Sequence, residues 1–275
     1  MSFAMQFITV PRDLDVWAIE WDLENTVSPT THNTFQHCPF QWRCKDLGFP
    51  KVTMDTQYMD FGNSVHGQIA AYYKSLSGEG WLTPEGIKER LEAFVYTIEK
   101  RPRGKNMKKI VEEMLRFEQW RQKRYPDDPM IPIAIEQYFK TPPFHGYIDF
   151  IAHDFVLDWK TGKGQVSEDY IRQVNSYFYA SMKLGHEPKK GYLGFVETGM
   201  KPMIPINLEK LLKEVWAFFQ LTSDPNFHYP RNRGYKCRWC SWRTICERGT
   251  KYSHEFLASR LIAKRAQRLA EANII

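Results

Sequence analysis

The stretch Gly146-Tyr-Ile-Asp149-Phe-Ile-Ala-His-Asp-Phe-Val-Leu-Asp158-Trp-Lys160 constrains the fold more than any other part of the chain. It reads as two short apolar strands joined at His153-Asp154, with one acid inside the first strand and an acid-x-base triplet ending the second. Side chains alternate faces along a strand, so Asp158 and Lys160 point to one side while Trp159 points the other way, toward a core. Apolar neighbours such as Ile148, Phe150 and Leu157 partly bury these charges, and unpaired buried charge is costly. An Asp-x-Lys triplet alone is common, and taken by itself it is better explained by a surface ion pair, with Asp149 a solvated edge residue. A hard divalent cation such as Mg2+ or Mn2+ would also reconcile the charges with burial. It takes carboxylate oxygens, keeps several waters, and accepts phosphate oxygens in its remaining positions. Lys160 could then orient or activate a water, or neutralise charge on a phosphate.

The 275 residues suffice for one large domain or a domain with an insert, and 43% hydrophobic with 25% charged residues is an ordinary globular balance. No run of 18 apolar residues occurs, and the first residues lack a basic segment followed by a cleavage site, so a cytoplasmic protein without a membrane span is expected. The net charge of +6 is compatible with a polyanionic partner without requiring one. Positive charge clusters at Lys100 to Lys105, Lys108-Lys109, Arg121 to Arg124 and Arg231 to Arg243. The last cluster is interleaved with Tyr229, Tyr235, Trp239 and Trp242, which suits phosphate contact with base stacking; solvated helix faces are the plainer account.

Patterning gives an extended lead-in over 1–30 and a short helix capped by Thr30 or Thr31 and running toward Cys38. A helix begins at Gly62-Asn63-Ser64, and helical patterns follow over Pro84 to Lys100 and Met107 to Arg124. Pro126-Asp-Asp-Pro129 interrupts them. Then come a strand within Ile131 to Phe139, the 146–160 hairpin, a glycine-rich turn at Thr161 to Gly164, and a Ser167-capped helix to Leu184. Gly191 to Glu197 reads as a strand, Leu208 to Leu221 as an amphipathic helix, and Tyr252 to Ala272 as a basic helix. The expected fold class is α/β, a central mixed sheet flanked by helices. The expected segments are 1–30 lead-in, 31–60 first part of a cluster-binding region, 61–130 helical, 131–225 core, 226–250 cysteine region and 251–275 terminal helix. On that last helix, Phe256, Leu257, Leu261 and Leu269 make an apolar stripe for a partner, a second copy or the protein's own domain.

Two further constellations stand out. Gln173 and Tyr177 lie four apart on one helix face and could present an amide and a phenol to nucleic acid or to Lys160, although taken alone Tyr177 reads first as a core aromatic. His66 could complete a metal site beside carboxylates or be structural. Among the five cysteines, Cys237-x2-Cys240 with Cys246 supplies three corners of a metal centre. Cys38, just before Pro39, is the preferred fourth corner and Cys44 the competitor. Four thiolates hold either Zn2+ or an iron-sulfur cluster, and spacing does not choose between them.

In combination these motifs resemble the RecB-type branch of the PD-(D/E)XK nuclease superfamily, in particular its iron-sulfur members that include CRISPR-associated exonucleases. Gly62-Asn-Ser-Val-His66 is similar to the family's Gly-x-x-x-His helix. Gly146-Tyr-Ile-Asp149 is similar to its Gly-x-x-Asp strand, Asp158-Trp-Lys160 to its Asp-x-Lys strand end, and Gln173 to Tyr177 to its Gln-x-x-x-Tyr helix. The resemblance spans about Thr30 to Arg248. It implies a restriction-endonuclease-like core with a helical insert and a region stapled by iron and sulfur. It further implies Mg2+ or Mn2+ held by His66, Asp149, Asp158 and the carbonyl of Trp159, with Lys160 as catalytic lysine and Gln173 and Tyr177 positioning substrate or lysine. A structural 4Fe-4S cluster on Cys38, Cys237, Cys240 and Cys246 is implied too, and Cys44 has no place in the pattern. The implied activity is metal-dependent DNA hydrolysis, most simply by an exonuclease on single strands or duplex ends. The alternative is a non-catalytic DNA-end-binding subunit of a recombination or CRISPR adaptation complex. No Gly-x-x-x-x-Gly-Lys-[Ser/Thr] loop is present, so a helicase, recombinase or adaptation partner would supply any motor.

Overall fold

The structure, a computed structural model, describes residues 8–49, 51, 56–76, 80–99, 101–127, 130–232, 237, 240–242 and 246. The expected helix over Tyr252 to Ala272, with its apolar stripe, lies outside these residues, as do Tyr235 and Trp239. The chain forms two compact units, one of residues 17–29 and 55–211, the other of residues 1–16, 30–54 and 212–275.

The first unit is built on a five-stranded sheet in the order β1 (Ala134–Thr141), β2 (Phe144–Ile151), β3 (Phe155–Lys160), β4 (Lys190–Phe195) and β5 (Gly199–Met200). The β1–β2, β2–β3 and β4–β5 pairs are antiparallel and β3–β4 is parallel, so the sheet is mixed as expected. A parallel pair needs a crossover, and α6 (Glu168–Lys183) provides it, capped by Ser167, whose hydroxyl accepts from the Tyr170 amide. The sequence reading missed β5, which is only two residues long and pairs through Gly194 and Phe195.

Helices α3 (Gln57–Ser75) and α5 (Met107–Arg124) bury their apolar sides on β2 and β3, and α4 (Pro84–Val95) packs on those two helices. Phe61, Val65, Ile69, Ile110, Met114 and Phe117 meet Phe150, Leu157 and Trp159. Helix α3 starts five residues before the expected Gly62; in its first turn the Thr56 hydroxyl donates to Asp60 at 2.7 Å. Helix α4 stops at Val95 rather than Lys100. Trp159 lies opposite Gly194 in the β3–β4 register, and a Cβ at Gly194 would overlap the indole ring. The glycine therefore lets Trp159 lie across β4 and anchor the end of β3.

One member of the expected basic clusters is not on the surface. Arg121 is fully buried, 3.0 Å from the Glu118 carboxylate, with its guanidinium over the Trp81 ring at 4.6 Å. Glu118 also accepts from the Tyr73 hydroxyl. Burial pushes the Glu118 carboxyl up, against the pull of Arg121 and Tyr73. Removing one partner of such a pair strands the other without water, at a cost of about 3–5 kcal/mol. Arg121→Ala should therefore lower the midpoint of chemical unfolding strongly, and Glu118→Gln/Arg121→Met considerably less. Equal losses in the two variants would show that the pair is not what stabilises this core.

The second unit contains α2 (Pro39–Asp46) and most of α1 (Pro29–His37) and α7 (Leu208–Ser223). Helix α1 begins at Pro29, so Thr30 and Thr31 lie inside it rather than capping it; proline suits a first turn, where its missing N–H costs nothing. The rings of Phe35, Trp42 and Phe218 meet edge to face, and Tyr229 stacks on Trp42 at 5.6 Å. The Trp242 indole N–H donates to the carbonyl of Phe49 at 3.0 Å, which ties the early segment to the late one.

Candidate active site

The site forms where β2 and β3 part. The strands pair at Phe150–Leu157 and Ile151–Val156. Beyond that point the gap is bridged by a side chain, Asp149, whose Oδ2 accepts from the backbone N–H of Trp159 at 2.8 Å. Helix α3 brings His66 to the same place, with Nδ1 at 3.4 Å from both Asp149 Oδ2 and Glu136 Oε1. His66, Glu136 and Asp149 each offer one ligand atom, and these lie within 4.8 Å of one another. Of the expected metal residues, His66 and Asp149 are thus brought together directly.

Asp158 is fully buried and engages Lys160 first. The ammonium donates to Oδ1 at 2.8 Å and lies 2.7 Å from Oδ2, yet Oδ2 accepts no hydrogen bond from the described residues. The ammonium also donates to Gln173 Oε1 at 2.9 Å, and Gln173 Nε2 donates to the Tyr177 hydroxyl at 2.8 Å. The helical i, i+4 spacing foreseen for Gln173 and Tyr177 therefore becomes a chain of contacts ending on the lysine. The Tyr170 ring lies 5.0 Å below the same ammonium.

The electrostatics express a shortage of positive charge. Burial and then the neighbouring Asp158 push the Asp149 carboxyl up to about 8, against the pull of His66 and Lys160. Burial would lower the basicity of Lys160, but Asp158 and Asp149 outweigh it, so the lysine is held above its ordinary value and is a cation at neutral pH. His66 is raised in the same way, burial being overcome by Asp149, Glu136 and Asp158. Burial drives the Tyr177 hydroxyl far above its usual range, so it stays protonated. A divalent cation fits this donor set. The reluctantly ionised Asp149 is an oxygen ligand short of charge, and its grouping with Glu136 and the His66 imidazole suits Mg2+ or Mn2+.

Glu136 was missed in the sequence. It lies in β1 between Ile135 and Gln137, the partners of Phe150 and Ile148, and so faces Asp149 across the hairpin. Its φ of +48° is in the left-handed region, unusual for a non-glycine residue and typical of functional sites. The signal was weak, because β1 also carries Gln137, Lys140 and Thr141, so an acid in it does not stand out as Asp149 does among Ile148, Phe150 and Ile151. A cleft of about 710 Å3 opens on this group, lined by Gly62, Gly67, Ala70, Lys74, His66 and Glu136 among others.

In the second unit, Cys44 is buried in a cluster with Phe40, Leu47, Phe49 and Trp242, against which Cys38, Cys240 and Cys246 pack. Burial first, then the thiols of Cys240, Cys38 and Cys246, push Cys44 up to about 12. Burial also raises Cys240, with Cys38, Cys246 and Cys237 contributing. None of the five is joined in a disulfide. The early and late cysteines thus converge, and Cys240 feels all three of the others in the expected set. Trp242 and Tyr229, foreseen as stacking residues, are instead occupied in this unit's interior, by the thiol cluster and by Trp42.

Acids, an imidazole and a lysine thus converge where two sheet strands separate. The chain belongs to the PD-(D/E)XK nuclease superfamily, whose family model matches residues 26–247. Members of that superfamily are nucleases that use divalent metal ions. No curated protein matches the chain. No helix among the described residues is long and apolar enough to cross a membrane.

Proposed function

We propose that this protein is a metal-dependent DNA exonuclease acting on single strands or duplex ends. The observation that carries this reading is the meeting of the His66, Glu136 and Asp149 group with the Asp158–Lys160–Gln173–Tyr177 chain at one strand gap. His66, Asp149, Asp158 and the Trp159 carbonyl would hold the cation, with Glu136 as a further ligand. When bound, Mg2+ or Mn2+ supplies Lewis acidity toward a phosphoryl oxygen and makes water a better nucleophile. Lys160, a fixed cation, stabilises negative charge developing on the transferred phosphoryl group. Its ammonium, hydrogen-bonded to Asp158 and to the Gln173 amide oxygen, is held above its ordinary basicity and acts as a cation rather than as the base that takes the proton of the attacking water. Gln173 and Tyr177 keep the ammonium in place.

Incubating end-labelled single- and double-stranded DNA with Mn2+, and then with chelator, tests the reading. Metal-dependent shortening from an end is expected, whereas intact DNA under all conditions would reject it. For the second unit, we assign a structural 4Fe-4S cluster to Cys38, Cys237, Cys240 and Cys246, with Cys44 as a buried packing thiol. Protein purified without oxygen should then show the visible absorption of thiolate-bound iron. Cys38→Ala should lose that absorption and Cys44→Ala should keep it; bound zinc without iron, or the reverse response of the two variants, would overturn the assignment.

A further inference from the structure

The hairpin that carries Glu136 and Asp149 continues outward as a strip of a different chemistry. Tyr138 is the Cα partner of Tyr147, and the next rung outward on that side is Lys140 with His145. Tyr147 lies two residues from Asp149 on β2, about 7 Å along the strand at about 3.4 Å per residue. The two rings contact each other, with centroids 5.2 Å apart and planes 58° from parallel. They are nevertheless 51% and 55% exposed, among the most exposed large side chains of the unit. Burial on β2 is continuous from Ile148 through Ile151 and ends at Tyr147, so the tyrosine pair stands where the buried acid site gives way to solvent. Lys140 pairs with the exposed Glu24 at 3.8 Å, a contact worth little in water, so its charge is available to a phosphate.

Cross-strand aromatic pairs do stabilise hairpins. This hairpin, however, already has an apolar inner side, on which Phe139 packs against Tyr177 and Phe144 against Tyr179. A solvent-facing tyrosine pair one rung from two metal-seeking carboxylates, followed by a lysine, has the chemistry that an unpaired polynucleotide requires. The rings offer faces to bases, and the ammonium meets a phosphate. A duplex offers its bases to such a surface only at an end, since elsewhere they are stacked and paired.

We propose that Tyr138 and Tyr147 form a stacking platform for unpaired bases beside the scissile phosphate, making them positioning residues that select single-stranded ends. The inference rests on the nuclease reading above and deepens it. Its test uses the full-length protein with fluorescently labelled single-stranded DNA. Cleavage is measured in Mn2+ and equilibrium binding in Ca2+, with strands that are intact or carry abasic sites near the cleaved end. Tyr138→Ala/Tyr147→Ala should raise KM and Kd by about tenfold or more with kcat within about threefold, in line with one or more lost base stacks. Tyr138→Phe/Tyr147→Phe should stay close to the unaltered protein. Abasic substitution should weaken the unaltered protein by a similar factor and scarcely affect the alanine variant, because the two changes remove one interaction. If the unaltered protein cleaves but the alanine variant keeps its KM and Kd and remains equally sensitive to abasic sites, the platform is overturned and the nuclease stands. If the unaltered protein does not cleave yet binds single strands through the tyrosines, the nuclease reading fails and the platform stands.

Discussion

Lys160→Gln is expected to reduce DNA cleavage by about 10²–10³-fold, the loss typical when one fixed group that stabilises transition-state charge is removed, and Asp158→Asn by at least as much. The structure adds a stability consequence. Asp158 is fully buried and its cationic partner is Lys160 at 2.7 Å, so Lys160→Gln leaves an unpaired acid in the interior. Breaking a buried pair from one side costs about 3–5 kcal/mol. The metal-free Lys160→Gln protein should therefore melt well below the unaltered one, and added Mn2+ should recover part of the difference by supplying the missing charge. Asp158→Asn/Lys160→Gln, which removes both charges, should melt closer to the unaltered protein while remaining inactive. Activity within about threefold of the unaltered protein in either single variant would remove the lysine and its acid from the chemistry.

The second large effect concerns Asp149. Its carboxyl is pushed up to about 8, so in the metal-free protein the protonated acid is the stable form. A folded-state value above the unfolded one contributes stability that is complete below about pH 4 and is lost as pH rises through about 8. His66, also raised, works in the same direction. Metal-free stability should thus fall between pH 4 and 8, and Asp149→Asn should flatten that fall while still accepting the Trp159 amide. A bound cation acts oppositely, because it requires the ionised acid, so its affinity should rise with pH over the same range. At one hundred times its dissociation constant, Mn2+ should stabilise the unaltered protein by about 2.7 kcal/mol, a melting shift of about 5–10 °C for a chain of this size. Asp149→Asn should show almost none of it. A shift of undiminished size in Asp149→Asn would place the cation elsewhere.

Much of this site was legible before any coordinates. Strand alternation put Asp158 and Lys160 on one side, and helical spacing put Gln173 and Tyr177 on one face; both are local periodicities that tertiary context seldom changes. Arg121 shows the opposite case. Its neighbours Lys123 and Arg124 look the same in sequence, yet only Arg121 falls on the α5 face that turns inward beside Glu118. Trp242 likewise gave no sign that it would be covered by Phe49 and the thiols.

The amino-acid order alone settled which short-range chemistry was present: an acid in each hairpin strand, a lysine two residues beyond one of them, a capped crossover helix, and three late cysteines awaiting an early one. Its reach ended where contact depends on chain folding over long separations. That Glu136 faces Asp149, that His66 arrives from a helix about eighty residues away, and that Cys44 rather than Cys38 is the buried thiol follow from strand register and helix packing. Those are set by the summed burial of many side chains, to which no local pattern gives access.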